Sequence, residues 1–150
     1  LAGQSQNSLD IAHAFLWNII AIELLLTKRG DSYSDSLPER AEAFIGWTSD
    51  WKDQDYKERI RELYKKRCKL VHAGDRELVE IKDVLISDVI LLNVLTNIVK
   101  HPKLFNSKDD VVRFSNKVSA EHLLGVRSKT RPKTFSFISP LYREKDFQEF

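Results

Sequence analysis

One cysteine, Cys68, stands in 150 residues. A lone thiol excludes a disulfide framework and points to a reducing compartment, so a cytoplasmic location is expected. Methionine is absent, even at position 1. The chain is therefore expected to be a piece of a longer protein with further domains on its N-terminal side. Excess charge of one sign is missing too: 24 Lys and Arg against 22 Asp and Glu leave +2. A nucleic-acid role would have to rest on a local patch, not on the total. No apolar run suits a membrane span. The longest candidate, VLISDVILLNVLTNIV from Val84 to Val99, is short and holds Asp88 and Asn93. The N-terminus, LAGQSQNS, is polar and lacks the apolar core of a secretory signal. No cluster of His, Cys and Asp has metal-ligand spacing, so neither a metal nor another cofactor is expected.

What is present is helical periodicity. A hydrophobic content of 42% is enough for the core of one domain. The first predicted helix runs from about Leu9 to Lys28, capped by Asn7 or Ser8 and ended by Arg29-Gly30. Ala12, Phe15, Leu16, Ile19, Ile22 and Leu26 form its stripe, and Ile20, Leu24 and Leu25 widen it. The second covers Leu37 to Trp47, with a Ser36/Glu39 capping box and Pro38 in its first turn. The third covers Asp53 to His72 and stops at Ala73-Gly74. The fourth starts near Leu78 and ends at His101-Pro102. The fifth follows Ser107, which has Asp110 three residues on, and ends at Leu124-Gly125. From Val126 the composition changes. RSKTRPKT is basic and polar, and TFSFISPLY alternates for a few residues like an edge strand or an arm. The expected fold is all-α: a helical bundle of about five helices over residues 1–125, with a basic C-terminal tail, 126–150, packing on it.

Two charges sit where core residues belong. Ile60, Leu63, Tyr64, Leu70 and Val71 mark the stripe of the third helix, and Arg67 joins it at +3/+4 spacing. Lys65, Lys66 and Lys69 fall off the stripe and are expected in solvent. In the first helix Glu23 lies four residues after Ile19 and three before Leu26. A charge buried alone is too costly to keep, whereas a paired one persists. Glu23 and Arg67 are therefore expected to face each other, either as a register-fixing ion pair or across a polar cleft. His72 closes the third helix five residues after Arg67, about 140° further round an ideal helix. Its position suits the helix dipole; its company with Arg67 suits a site.

The stretch LYKKRCKLVHAGD resembles the signature of HEPN domains, an all-helical superfamily marked by an arginine followed a few residues later by a histidine. The Apea-like branch is the most similar. Its Leu-Tyr, Arg-Ser, Val-His, Gly pattern is matched by Leu63, Tyr64, Arg67, Val71, His72 and Gly74. AFLWNIIAIELLL is similar to the first helix of that branch, which carries an acid in an apolar run. The resemblance spans roughly Leu9 to Val99. It departs at Cys68, where many members carry a polar Ser, Asn, Asp or His. Cysteine has nearly the size of serine but is a poor hydrogen-bonding partner, so the departure bears on activity and not on the fold.

The resemblance implies a metal-independent endoribonuclease that acts as a homodimer on single-stranded RNA, with two motifs forming one composite site. Arg67 and His72 would be catalytic, with Glu23, Tyr64 and Cys68 supporting them. RNA supplies its own nucleophile, the 2′-OH. A histidine near neutral pKa can take its proton or protonate the leaving 5′ oxygen. A guanidinium can hold the phosphate on two oxygens as charge develops. Two basic segments would steer RNA: Lys57, Arg59, Arg61, Lys65, Lys66 and Lys69 on the outer side of the third helix, and Arg127, Lys129, Arg131 and Lys133 in the tail. His13 reads as partly exposed, and His101 and His122 as helix-end residues. Trp17 and Trp47 read as core or dimer-interface residues. Trp51 reads the same way, with base stacking as its other role. Asp88 and Asn93 read as partners for polar groups of the cleft or of a neighbouring helix. Three function classes remain open: a ribonuclease effector of a defence or toxin-like system, a non-cleaving RNA- or nucleotide-binding module of the same fold, and a helical dimerisation domain in which the Glu23–Arg67 pair is structural.

Overall fold

The computed structural model describes residues 2–47, 56–127 and 129–139, with the backbone alone for residues 2–10. Five α-helices make up this part: α1 (Ala2–Leu26), α2 (Tyr33–Ile45), α3 (Tyr56–Ala73), α4 (Ile81–Lys100) and α5 (Lys108–Leu123), with a 3₁₀ turn at Arg76–Leu78 before α4. Among the described residues there is no strand. α1 lies chiefly against α4, and α2 chiefly against α5 and α3. The fold is the expected all-α bundle.

Sequence chemistry explains most helix ends. Ser107 caps α5 with a reciprocal capping box: its Oγ accepts from Asp110 N–H, and the Asp110 carboxylate accepts from Ser107 N–H. α5 closes in a Schellman motif. Gly125 (φ +64°) donates to the His122 carbonyl and Val126 to that of Glu121. α3 ends as expected at Ala73, with Gly74 (φ +68°) donating to Leu70.

Other ends differ from expectation. α1 extends to Ala2, so Asn7 and Ser8 lie inside it and do not cap it. α2 begins one turn before the expected Ser36. The Ser32 carbonyl accepts from Asp35 and Ser36, and Ser32 Oγ bonds Asp35 at 2.8 Å. Ser32 is thus the N-cap, without a side-chain bond to a helix N–H, and Pro38 lies within the helix. α4 starts at Ile81 and not near Leu78. Glu80 is its N-cap, in a box with Asp83. The start of α3 before Tyr56, and Trp51, lie outside the described residues.

The core is built by Phe15, Ile19, Ile22 and Leu26 of α1 against residues of all the other helices. Phe44, Phe105 and Phe114 form an aromatic knot with centroids 5.1–5.7 Å apart. Phe135, from beyond the helices, completes it 5.4 Å from Phe114. Leu24 and Val71, expected in the stripes, are instead 67% and 49% exposed, and Trp17 is 70% exposed and not core.

The α1–α2 corner depends on a buried arginine. Arg40 Nη1 donates at 2.6 Å both to the Leu26 carbonyl, at the end of α1, and to Asp31. Arg40→Met would leave both acceptors without this donor and should cost about 2 kcal/mol in denaturant unfolding. Arg40, and next the Lys28 N–H, hold the Asp31 carboxyl below its ordinary 3.8. A depressed carboxyl contributes stability above its unfolded pKa and loses it as pH falls through the folded one. The stability gap between wild type and Asp31→Asn should therefore narrow below about pH 4, measured by urea titration across pH 3 to 7.

Candidate functional site

α1 and α3 meet at the pair anticipated from the sequence. Glu23 is buried, and the Arg67 side chain keeps 22% of its surface. Arg67 Nη2 donates to Glu23 Oε2 at 3.1 Å. Nε lies 3.0 Å from Oε1, near enough for ionic attraction but not aligned as a hydrogen bond. Nη1 has no protein partner among the described residues. The arginine is thus anchored by two of its nitrogens, with the third free.

Tyr64, one turn before Arg67, lies under the guanidinium, whose carbon is 6.0 Å from the ring centroid. Its other neighbour is Tyr33 of α2, at 6.1 Å. Burial raises the Tyr64 phenol pKa, the Cys68 thiol beside it adds to that, and Arg67 pulls the other way. Cys68 is half-buried in this corner. Glu23, Tyr64, Arg67 and Cys68 therefore form one cluster. His72 does not join it within the chain. It is exposed in the last turn of α3, and no hydrogen bond or ion pair holds it among the described residues.

The basic residues divide. Lys69, Arg127, Lys129 and Lys133 are exposed. Arg131 is committed to the bundle. Its Nε donates to the Ala43 carbonyl at 3.1 Å, its guanidinium lies 5.7 Å over Trp47, and burial lowers its pKa. On α3, Lys57 pairs with Glu39 and Glu42, and Arg61 with Glu58. Lys66, expected in solvent, bonds buried Asp83 at 2.7 Å, because Asp83 of α4 faces α3 as well as its own N-terminus. His13 and His122 are exposed, the latter 4.0 Å from Glu42. Asp88 accepts from Asn18 of α1 at 2.7 Å, which fits the reading of a polar partner on a neighbouring helix. Among the described residues no group of His, Cys, Asp and Glu is placed to hold a metal ion, and no helix is long and apolar enough to cross a membrane. Comparison of the chain with family models, curated proteins and solved structures gives no match.

Burial raises the Glu23 carboxyl above its ordinary 4.5, outweighing Arg67, which lowers it. A raised carboxyl has the opposite sign to Asp31. The folded chain holds this proton more tightly than the unfolded one, so stability falls as pH rises through 4.5 to the folded value. Arg67→Ala removes both lowering influences and strands a buried carboxylate. It should cost about 2–3 kcal/mol at pH 7, less as pH is lowered toward 4.5. The Glu23→Leu, Arg67→Leu double variant should recover most of that loss. Guanidinium unfolding of the three chains at pH 7 and 5 measures it; an equal deficit at both pH values would contradict the assignment.

Proposed function

We propose that the chain is a HEPN-type, metal-independent endoribonuclease domain that cleaves single-stranded RNA as a homodimer, an effector of a defence or toxin-like system. The observation that carries this reading is the Arg67 guanidinium. It is fixed by a buried carboxylate, presents a free Nη1 at a partly open seam, and has an unpartnered histidine further along its own helix. Arg67 holds the scissile phosphate through its free edge and counters charge on the nonbridging oxygens. The 2′ oxygen attacks phosphorus as one His72 takes its proton. The bond to the 5′ oxygen breaks, and a second His72 supplies the proton that this oxygen needs. The products are a 2′,3′-cyclic phosphate and a 5′-hydroxyl.

Two histidines require two chains. Leu24, next to Glu23, and Val71, between Arg67 and His72, are large apolar side chains left exposed beside the cluster. Trp17 lies two turns before Leu24 on the same face of α1. A second copy covering this face would bring its own His72 to the seam. A second reading, a non-cleaving module in which the pair is structural, draws on the spent cations: Lys57, Lys66 and Arg131 are all paired within the chain.

His72→Ala is the discriminating variant, because an exposed side chain can be removed without disturbing the bundle. In EDTA, with a labelled single-stranded RNA, the wild-type chain should leave cyclic-phosphate ends. The variant should melt at the same temperature and cut at least about 100-fold more slowly. RNA with a single 2′-deoxy at the scissile position should resist. Unchanged cutting by the variant, or cutting abolished by EDTA, would refute this mechanism. No cutting and no gel shift would favour the structural reading.

A further inference from the structure

α4 carries a ladder. Asn93 Nδ2 donates to the Ile138 carbonyl at 3.0 Å and Oδ1 accepts from the Ile138 N–H at 2.7 Å. Asn97 does the same to Ser136, at 2.9 and 3.1 Å. His101 Nε2 lies 2.9 Å from Thr134 Oγ1, and its Nδ1 lies 2.8 Å from the Asn97 carbonyl. Steps of four along the helix meet steps of two along the arm, running the opposite way. The spacings agree: about 6.0 Å per four helical residues and about 6.6 Å per two extended ones. The remaining amide hydrogen of each Asn bonds its own helix, to Val89 and Asn93 carbonyls, so both N–H donors of each carboxamide are used and its oxygen accepts, although both residues are buried.

Both carboxamides read main chain only. Among the side chains of residues 134–138, Phe135 sits in the aromatic knot, Phe137 lies 6.5 Å from Trp47, the Thr134 hydroxyl meets His101 and Ser136 accepts a hydrogen bond from Lys100. The arm, over its described residues, is neither helix nor strand, and its Phe135 N–H donates to the Pro132 carbonyl. It is held as a bound peptide is held, by main-chain bonds for affinity and a pocket for selection.

We propose that the Asn93–Asn97–His101 edge of α4 is a docking site for an extended polypeptide, filled in cis by residues 134–138 and able to take the same segment from a second copy, giving an arm-exchanged pair. The contacts are indifferent to which chain supplies the backbone, which is the condition for exchange. The probe is a fluorescent peptide of residues 129–139. The acceptor is the full chain carrying Phe135→Ala, whose own arm lacks its plug. A tethered arm competes at an effective concentration on the order of millimolar, so the peptide should bind the acceptor at least about tenfold more tightly than wild type. Adding Asn93→Leu and Asn97→Leu to the acceptor should abolish that binding. Should Phe135→Ala lose its helical circular dichroism, Ser136→Pro serves instead, since it withdraws one N–H from the ladder and keeps Phe135. A folded acceptor that ignores the peptide overturns the proposal, as does binding that survives loss of both asparagines. So does unfolding of both acceptors, because the arm would then belong to the folding unit and not to a docked ligand.

Discussion

The Glu23–Arg67 pair joins two helices that share far less contact with each other than α1 shares with α4. Its position governs much else. Glu23 sets how α1 is rotated, and hence which of its residues meet the core. Thr27 Oγ1 bonds the Glu23 carbonyl at 2.7 Å, and Arg40 holds the Leu26 carbonyl, so the last turn of α1 is fixed to both α2 and α3. A misrotated α1 would strand a carboxylate and a guanidinium together, a far larger penalty than losing a few apolar contacts. The same fixation orients the Arg67 fork, so the rotation of α1 and the geometry of the proposed site rest on one contact.

Comparable polar ties recur at other seams. Asn18 bonds Ser87 and Asp88 between α1 and α4, Lys66 bonds Asp83 between α3 and α4, and the two asparagines bind the arm. Apolar faces pack in several registers at similar cost, whereas a carboxamide or ion pair satisfies its partners in one. The ties also consume charge. Lys57 and Lys66, which look available in the sequence, are neutralised inside the chain, whereas Lys69, Arg127, Lys129 and Lys133 stay exposed near the end of α3 and beyond α5.

The sequence made the bundle legible, along with the end of α3, both ends of α5 and the facing of Glu23 with Arg67. Each of those rests on a local pattern: a Gly after a periodic run, a Ser-x-x-Asp, a charge in a stripe. What escaped depends on competition or distance. Two capping patterns four residues apart, at Ser32 and Ser36, cannot be ranked without the packing that draws Leu37 and Pro38 inside. The exposure of Leu24 and Val71 is set by where a third element stops covering them, not by their own spacing. The arm resembled a strand because its bonds do alternate, yet its partner is a row of side chains and not a second strand. Asn93, Asn97 and His101 stood in plain view at intervals of four in DVILLNVLTNIVKH. Their partners lie 45, 39 and 33 residues onward in a stretch with no matching signal.

The ladder is also a vernier. Its two scales differ by about 0.6 Å per rung. With the middle rung in register, each neighbour is displaced by that amount, near the whole range of about 0.5 Å that an N–H···O bond tolerates. One rung further out the error doubles. Three rungs are therefore close to the most that a straight helix can offer an extended chain. The helix offers no further rung at either end: four residues before Asn93 stands Val89, and four after His101 stands Phe105, both apolar. The helix thus measures a fixed length of backbone. An arm longer or shorter by one residue between Thr134 and Ile138 would be rejected by arithmetic, whatever its side chains.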